Sequence, residues 1–343
     1  MKDIPNLPFS HALVTGSSGS IGRAVARELL DRGCAVTLLA RDAQRVPESL
    51  RSAEGGRVRI VCGDLADSSA LREAVKDVEA VFHAAARVHA VPKTPEEEAA
   101  FFEVNVEGTS NLLAAIEEQA IRSFVFFSTI AVFGDACMPI RESLPVDPQT
   151  PYAISKYQAE QKILSAGRDQ GFSASVLRLS MVYGEGDRGN FQRMLRAIDR
   201  GRFVFIGRGD TLKSMTYVEN VVEAALLAAS SPSAAGRVFV ISDPHPYSVR
   251  EVAGAIAEAL GRPTPRLSVP KFAAMAAAGA CEVVAKLCGA RLPITPRDVR
   301  VLLSDVVCDT NLARSELGFR GEVGLREGIA RTVQHYRARN GRT

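Results

Sequence analysis

The sequence contains no tryptophan in 343 residues and only six cysteines, at positions 34, 62, 137, 281, 288 and 308. No two of these cysteines form a CxxC pair, and no group of cysteines and histidines has the spacing of a zinc site. We therefore predict no metal site. Unpaired cysteines are typical of a reducing compartment, which predicts a cytoplasmic protein.

Long apolar runs and net charge are also scarce. The most alanine-rich stretch, residues 272–281, is far shorter than the ~20 apolar residues that cross a bilayer. The first ten residues lack the pattern of a signal peptide. With 42 basic and 39 acidic side chains, the net charge is only +3, too small to indicate nucleic-acid binding. We predict neither a membrane span nor a nucleic-acid partner.

The bulk composition is that of a folded protein. Hydrophobic residues make up 46% and charged residues 24% of the chain, values that exclude a disordered or fibrous protein. The length suggests about two units of ~150 residues, or one large α/β domain with an appendage. It exceeds what a dinucleotide-binding domain alone requires.

Apolar runs alternate with helical patterns as far as about Tyr183. Runs such as Ala35–Ala40 and Ser123–Ser128 are separated by helices, including long ones at Pro95–Gln119 and Pro151–Ala166. Continuous apolar strands between helices predict a parallel sheet buried on both faces. The expected fold is α/β, a doubly wound (Rossmann) parallel sheet over residues 1–183. Residues 184–343 are expected to form a smaller mixed α/β lobe that mainly binds substrate, with some elements returning to the first domain.

A glycine-rich turn follows the first strand. Gly16, Gly19 and Gly22 form a GxxGxxG pattern that opens the first helix, with Ser18 and Ile21 between them. Such glycines allow a tight turn and a close approach to a pyrophosphate, which the helix N-terminus then attracts. The position between strand and helix favours a dinucleotide site over a merely structural turn.

The next two strand ends bear on which dinucleotide binds. Arg41 ends the second strand, and a guanidinium there suits the 2′-phosphate of NADP. The next residue, Asp42, could instead bind the ribose 2′-hydroxyl of NAD. Asp64, beside Leu65, follows the third strand and is placed to accept from the adenine amino group. The rival interpretation makes Asp64 the N-cap of the next helix. We expect NAD(P), with a preference for NADP.

The second motif is a YxxxK pair. Tyr152 and Lys156 share a helix face, so the ammonium is expected to lower the phenol pKa and make Tyr152 a general acid/base. Ser128 and Thr129 end an apolar strand, where a hydroxyl would bond the reacting oxygen. A strand-end turn is the structural alternative for that pair. We predict Thr129, Tyr152, Lys156 and Ser128 as catalytic.

These motifs together resemble the extended short-chain dehydrogenase/reductases, with nucleotide-sugar epimerases and ketoreductases among them. The resemblance rests on the glycine loop, His83-Ala84-Ala85-Ala86, the Ser128–Gly134 stretch and Pro151–Lys156. It implies that Lys156 also holds the nicotinamide ribose, that Asn105 supports the site, and that the protein is a homodimer formed through the two long helices. Ile130-Ala131 replaces the Asp-Glu of dehydratases, which disfavours that reaction. The expected cofactor-binding residues are Gly16, Ser18, Gly19, Ile21, Gly22, Arg41, Asp64, Leu65, Ala84, Ala85, Ala86, Asn105, Tyr152 and Lys156.

The later segments resemble the places where epimerases meet a sugar nucleotide. This implies substrate contacts from Asn190 and, as diphosphate cations, from Lys213, Arg208 and either Arg297 or Arg300. The alternative for each cation is a solvated surface charge. The leading hypothesis is an NAD(P)-dependent 4-epimerase or 4-ketoreductase of a nucleotide-activated sugar. One alternative is a reductase like the 3β-hydroxysteroid dehydrogenases or dihydroflavonol reductases, which the C-terminal segment also resembles. Another is a cofactor-sensing protein without turnover.

Overall fold

The computed structural model describes residues 6–52, 56–88, 92, 94–135, 138–187, 189–277, 279, 296–339 and 341. Its strands, in chain order, are β1 (His11–Thr15), β2 (Ala35–Ala40), β3 (Val58–Cys62), β4 (Ala80–His83), β5 (Ser123–Thr129), β6 (Ser173–Leu179), β7 (Met181–Tyr183), β8 (Phe205–Ile206), β9 (Leu212–Lys213), β10 (Met215–Tyr217), β11 (Arg237–Ile241), β12 (Tyr247–Ser248) and β13 (Ser268–Val269).

Seven of these strands form one parallel sheet in the order β11-β6-β5-β4-β1-β2-β3. The strand residues are almost all buried, because helices cover both faces. The predicted doubly wound sheet is confirmed. The sheet also includes a strand from the second half of the chain, β11, which pairs with β6.

The helices include two that begin at the predicted residues, Pro95 and Pro151. They are α1 (Ser20–Asp31), α2 (Glu48–Arg51), α3 (Ser68–Ala74), α4 (Pro95–Phe102), α5 (Gly108–Ile116), α6 (Pro151–Gln170), α7 (Asn190–Asp199), α8 (Val218–Ser230) and α9 (Val249–Ala259), followed by helices Pro296–Leu303, Asn311–Leu317 and Leu325–Arg339. No helix in the described ranges is apolar over a length that would cross a membrane.

The helix predicted over Pro95–Gln119 has an interruption. A π-helical turn, Glu103–Glu107, joins α4 to α5. Side-chain caps from Thr94 and Thr150 start α4 and α6, each with proline in the first turn. Because one extra residue is accommodated in a π-turn, it rotates the following side chains relative to an unbroken helix, and Asn105 lies within this turn.

The two halves of the chain share one core. Val221 and Ala225 of α8, Phe239 of β11, and Phe319 belong to the same buried cluster as Val14 of β1. The remaining small sheets, β7 with β10, β8 with β13 and β9 with β12, include parallel and antiparallel pairs. They pack against α7, α9 and helix Leu325–Arg339 through a separate cluster of buried residues, which forms the smaller mixed lobe.

Candidate active site

The predicted site residues gather where the sheet order reverses. Strand β1 lies between β4 and β2. The chain adds β2 and β3 on one side of β1 and then β4 and β5 on the other, so the direction of the strand order reverses at β1. A crevice at the carboxyl ends of the strands beside such a switch point is where doubly wound proteins bind their ligands. The glycine loop follows β1, the Ala84–Ala86 segment follows β4, and Thr129 ends β5.

The glycine loop has the shape that its sequence predicts. Gly16 has a φ of +73°, and a Cβ there would lie 2.6 Å from the Ala85 nitrogen. A Cβ on Gly22 would lie 2.5 Å from the Gly16 carbonyl oxygen, so this glycine lets α1 pack onto the loop. No side chain caps the start of α1, and the buried Ser17 hydroxyl has no partner among the described residues. These free donors fit the phosphates of a dinucleotide.

A buried histidine connects the glycine loop to α5. His83 Nδ1 accepts from the Thr15 hydroxyl at 2.7 Å, and the Ala85 amide donates to the same hydroxyl oxygen. The Thr109 hydroxyl donates to the Asn105 carbonyl, so the His83 Nε2–H donates to Thr109 at 3.0 Å. Burial lowers the pKa of His83 to about 3, which keeps the ring neutral. From the sequence, His83 was expected in the loop along the cofactor, and its bonds to Thr15 and Thr109 were not predicted.

Asn105 links three parts of the site from the π-helical turn. Its side chain accepts from the Arg87 amide at 2.8 Å and donates to the Arg87 carbonyl at 3.2 Å. It also donates to the Ser155 hydroxyl at 2.9 Å, and that hydroxyl donates to the Tyr152 carbonyl. Asn105 is buried and its side chain contacts protein groups, so the geometry supports the expected role of positioning the site.

The two residues of the YxxxK pair are both shifted by burial. Burial raises the pKa of Tyr152 to about 12, although the neighbouring Thr129 hydroxyl lowers it in part. The Lys156 ammonium lies 3.8 Å from the centroid of the Phe126 ring, and burial lowers its pKa to about 7. The expectation that Lys156 lowers the Tyr152 pKa is therefore wrong for this structure, because desolvation of the phenol dominates.

Ser128 has a different environment from its neighbour Thr129. Its hydroxyl donates to the Glu160 carboxylate, which also pairs with the Arg178 guanidinium at 2.7 Å. The charged pair is buried, with side-chain exposures of 5% for Arg178 and 0% for Glu160. The Ser128 hydroxyl is thus engaged in a buried polar cluster, so the geometry favours Thr129 over Ser128 as the hydroxyl that bonds the reacting oxygen.

The residues predicted at the adenosine end lie where their strands end, and several are exposed. Arg41 is exposed after β2, and the next residue, Asp42, caps a short helical turn by accepting from the Gln44 amide. Asp64 is exposed and accepts from the Ala66 amide, whereas Asp67 is the residue that caps α3. The rival interpretation of Asp64 as that cap is therefore wrong. Leu65 is buried, and its carbonyl accepts from Asn111.

The residues predicted to meet substrate diphosphate come from four different elements or loops in the second half of the chain. Lys213 Nζ donates to the Ser304 carbonyl at 2.6 Å, which ties this ammonium to the backbone of the smaller lobe. Arg208 and Arg300 are exposed, and Asn190 is the exposed first residue of α7. The shared role of these residues in binding a diphosphate therefore stays a prediction.

One arginine beside Tyr152 was missed by the sequence analysis. The Arg87 guanidinium carbon lies 5.6 Å from the centroid of the Phe101 ring, and the Phe101 and Tyr152 rings pack with their centroids 6.3 Å apart. The available signal was its place directly after Ala84–Ala86. That signal was weak, because the contact with Phe101 depends on how α4 packs.

Comparisons with known proteins agree with this architecture. A model of the NAD dependent epimerase/dehydratase family matches residues 12–242. A 2-alkyl-3-oxoalkanoate reductase of Stenotrophomonas maltophilia is 32% identical over 334 residues, covering 93% of this chain and 97% of the relative. A UDP-glucose 4-epimerase of Vibrio cholerae is 27% identical, covering 96% of each chain. Among solved structures, MoeE5 in complex with UDP-glucuronic acid and NAD is 28% identical, with a TM-score of 0.75, covering 96% of this chain and 99% of that one.

Proposed function

Because the chain belongs to the NAD-dependent epimerase/dehydratase family, we propose that it is an NAD(P)-dependent ketoreductase in which Tyr152 is the general acid. The observation that carries the proposal is the placement of Tyr152 close enough to the Thr129 hydroxyl at the end of β5 for that hydroxyl to affect its pKa, on the same helix as Lys156. A phenol with a pKa near 12 is protonated at neutral pH, so it is set to donate a proton to an oxygen that gains negative charge.

The chain's residues divide the work in this proposal. The donors of the glycine loop and of the α1 N-terminus hold the phosphates, and Lys156 contacts the nicotinamide ribose. The bound nicotinamide supplies hydride chemistry at the substrate carbon. Thr129 and Tyr152 bond the substrate oxygen, which orients the carbonyl and stabilises its developing charge. Asn105 fixes the backbone at Tyr152 through Ser155.

Cofactor preference is part of the proposal. Arg41 lies exposed at the end of β2, where a guanidinium pairs with a 2′-phosphate. This supports NADP, whereas MoeE5 binds NAD.

The mechanism is tested by Tyr152→Phe. We expect the variant to lose at least about a hundredfold in kcat, because general acid catalysis contributes about 10²–10⁴-fold, while NADPH binding measured by cofactor fluorescence stays unchanged. Tyr157→Phe, the same change on the same helix, is the matched control and should keep wild-type turnover. NADPH oxidation by the Tyr152→Phe enzyme at the wild-type rate, with any ketone or aldehyde as the hydride acceptor, would contradict the proposal.

The second candidate is a nucleotide-sugar 4-epimerase, supported by the match to MoeE5 with its bound UDP-sugar. The structure supports it less, since Lys213 is engaged with Ser304 and Arg208 is exposed. A thermal shift induced by UDP alone at millimolar concentration would favour this candidate. Stabilisation by NADPH and a keto substrate, without a response to UDP, would favour the ketoreductase.

A further inference from the structure

The Arg87 guanidinium packs over Phe101, the ring that also contacts Tyr152. Its Nε is buried and has no hydrogen-bond partner among the described residues. Within the same residues, no carboxylate forms an ion pair with Arg87. The contact that remains is with the face of Phe101, and Phe101 in turn packs on Tyr152.

The position of Arg87 is strongly constrained. Both backbone hydrogen-bonding groups of Arg87 are bound by the Asn105 side chain, which also reaches Ser155 on the catalytic helix. Asn105 thus connects Arg87 to the backbone at Tyr152. A guanidinium has five donors and no acceptor, and a buried donor without a partner is costly. An anionic ligand is the group that would satisfy it.

We propose that Arg87 binds a carboxylate of the substrate, so that the enzyme acts on 3-oxo acids and their 3-hydroxy counterparts. This rests on the proposed ketoreductase function. The planar fork of arginine matches a carboxylate through two parallel hydrogen bonds, and the Phe101 face keeps the guanidinium in place. Arg87 and Tyr152 both contact one ring, Phe101, so we assign the carboxylate at Arg87 to the same substrate whose carbonyl meets Tyr152.

The reaction balances without a further co-reactant. In the reductive direction, C3 of the oxo acid gains a hydride from the reduced nicotinamide dinucleotide, which leaves that cofactor oxidised. The C3 oxygen gains the Tyr152 proton, which water replaces. The carboxylate bound by Arg87 is unchanged. In the oxidative direction the same atoms move in reverse, so 3-hydroxy acids serve as stable probes.

The test compares 3-hydroxyoctanoate with its methyl ester as substrates for oxidation, followed by the absorbance of the reduced cofactor. We expect the wild-type enzyme to prefer the acid by about tenfold to a hundredfold in kcat/KM, the range of a hydrogen bond to a charged group. Arg87→Met should abolish this preference by raising the KM of the acid, with the ester unchanged. Arg87→Lys should retain part of it. Arg168→Met, an exposed arginine on α6, should leave the preference intact.

Three outcomes would overturn the assignment. The wild-type enzyme could oxidise the ester as well as the acid. Arg87→Met could weaken NADP binding with the acid preference retained, which would place Arg87 at the cofactor phosphates. In the third, Arg87→Met with bound NADH or NADPH could bind 3-hydroxyoctanoate as tightly as wild type, as measured by calorimetric titration. This titration decides the role of Arg87 without turnover, whereas inactivity toward every carbonyl, with cofactor bound, would count against the ketoreductase function.

Discussion

At the scale of single residues, burial shifts the two groups of the YxxxK pair in opposite directions. It raises the pKa of Tyr152 to about 12 and lowers that of Lys156 to about 7. Both shifts favour the neutral form, as desolvation does for any titratable group. The phenol thereby keeps the proton it donates in the reductive direction. Below its lowered pKa, Lys156 carries a buried charge whose desolvation costs stability.

This cost predicts that Lys156→Met stabilises the protein while removing its activity. Because the pKa of Lys156 is about 7 when folded and 10.5 ordinarily, the unfolded chain binds more protons between these pH values. Wild-type stability therefore rises with pH across this window, relative to the variant. The variant should melt higher than wild type at pH 6, and the difference should shrink toward pH 10. Thermal unfolding at several pH values measures it.

The matched control for this experiment is Lys162→Met, an exposed lysine on the same helix. Its melting temperature should stay close to wild type at each pH. A Lys156→Met protein that melts below wild type at pH 6 would show that the ammonium stabilises the fold through contacts that outweigh its desolvation.

The motifs were predictable from the sequence where local spacing decides the structure. Gly16 and Gly22 require a turn and a close contact, and Tyr152 and Lys156 are four residues apart on one helix. The role of Ser128 was not predictable, because its partner Glu160 is fixed by Arg178 on another strand. The contact of Lys213 with the Ser304 carbonyl was not predictable for the same reason, since Ser304 is 91 residues further along the chain. Pairings of this kind are set by tertiary packing.

At the scale of elements, the buried Arg178–Glu160 pair joins β6 to α6 behind the catalytic residues. Glu160 lies on the same helix as Lys156, one turn further on, and receives hydrogen bonds from the Ser128 hydroxyl on β5 as well as from Arg178. The Arg178 guanidinium carbon also lies 4.8 Å from the centroid of the Phe133 ring. These bonds join strands β5 and β6 to helix α6.

We expect Arg178→Met to destabilise the protein by about 3–5 kcal/mol, because it leaves the Glu160 charge buried without its partner. Replacing both residues by methionine should recover part of this loss, since no uncompensated charge remains. Chemical denaturation measures the free energy of unfolding of each variant. Arg237 lies on the adjacent strand β11 and forms a more exposed pair with Glu316. Arg237→Met removes this pair and should cost at most about 1 kcal/mol. An equal loss in both single variants would contradict the argument from burial.

The alternation of strands and helices was predicted by apolar periodicity, and the strand Ala35–Ala40 and the helix starts at Pro95 and Pro151 match their predicted positions. The π-helical turn at Glu103–Glu107 was not predicted, because a single inserted residue barely changes a helical pattern. The turn matters for the site, since Asn105 within it reaches both Arg87 and Ser155. Sequence periodicity locates a helix, but packing decides where its winding changes.

At the scale of the whole molecule, the parallel sheet depends on both halves of the chain. Strand β11 pairs along β6 from Arg237↔Ser175 to Ile241↔Leu179, and α8 packs against α1 in the shared core. The length beyond a dinucleotide-binding domain therefore builds part of that domain as well as the smaller lobe. Strand β7 follows β6 almost directly in the chain and pairs with β10.

This shared core predicts that the full chain unfolds in a single cooperative transition. Residues 1–183 alone would expose the β6 edge to solvent and leave the cluster around Val14 without Val221 and Phe239, so the fragment should not fold cooperatively. Scanning calorimetry of the full chain should give equal calorimetric and van't Hoff enthalpies, and circular dichroism of the fragment should show no sigmoidal melt. A fragment with a cooperative melt, or a full chain with two resolved transitions, would mean that the first half carries a complete core, and the lobe would then be an addition to a finished domain.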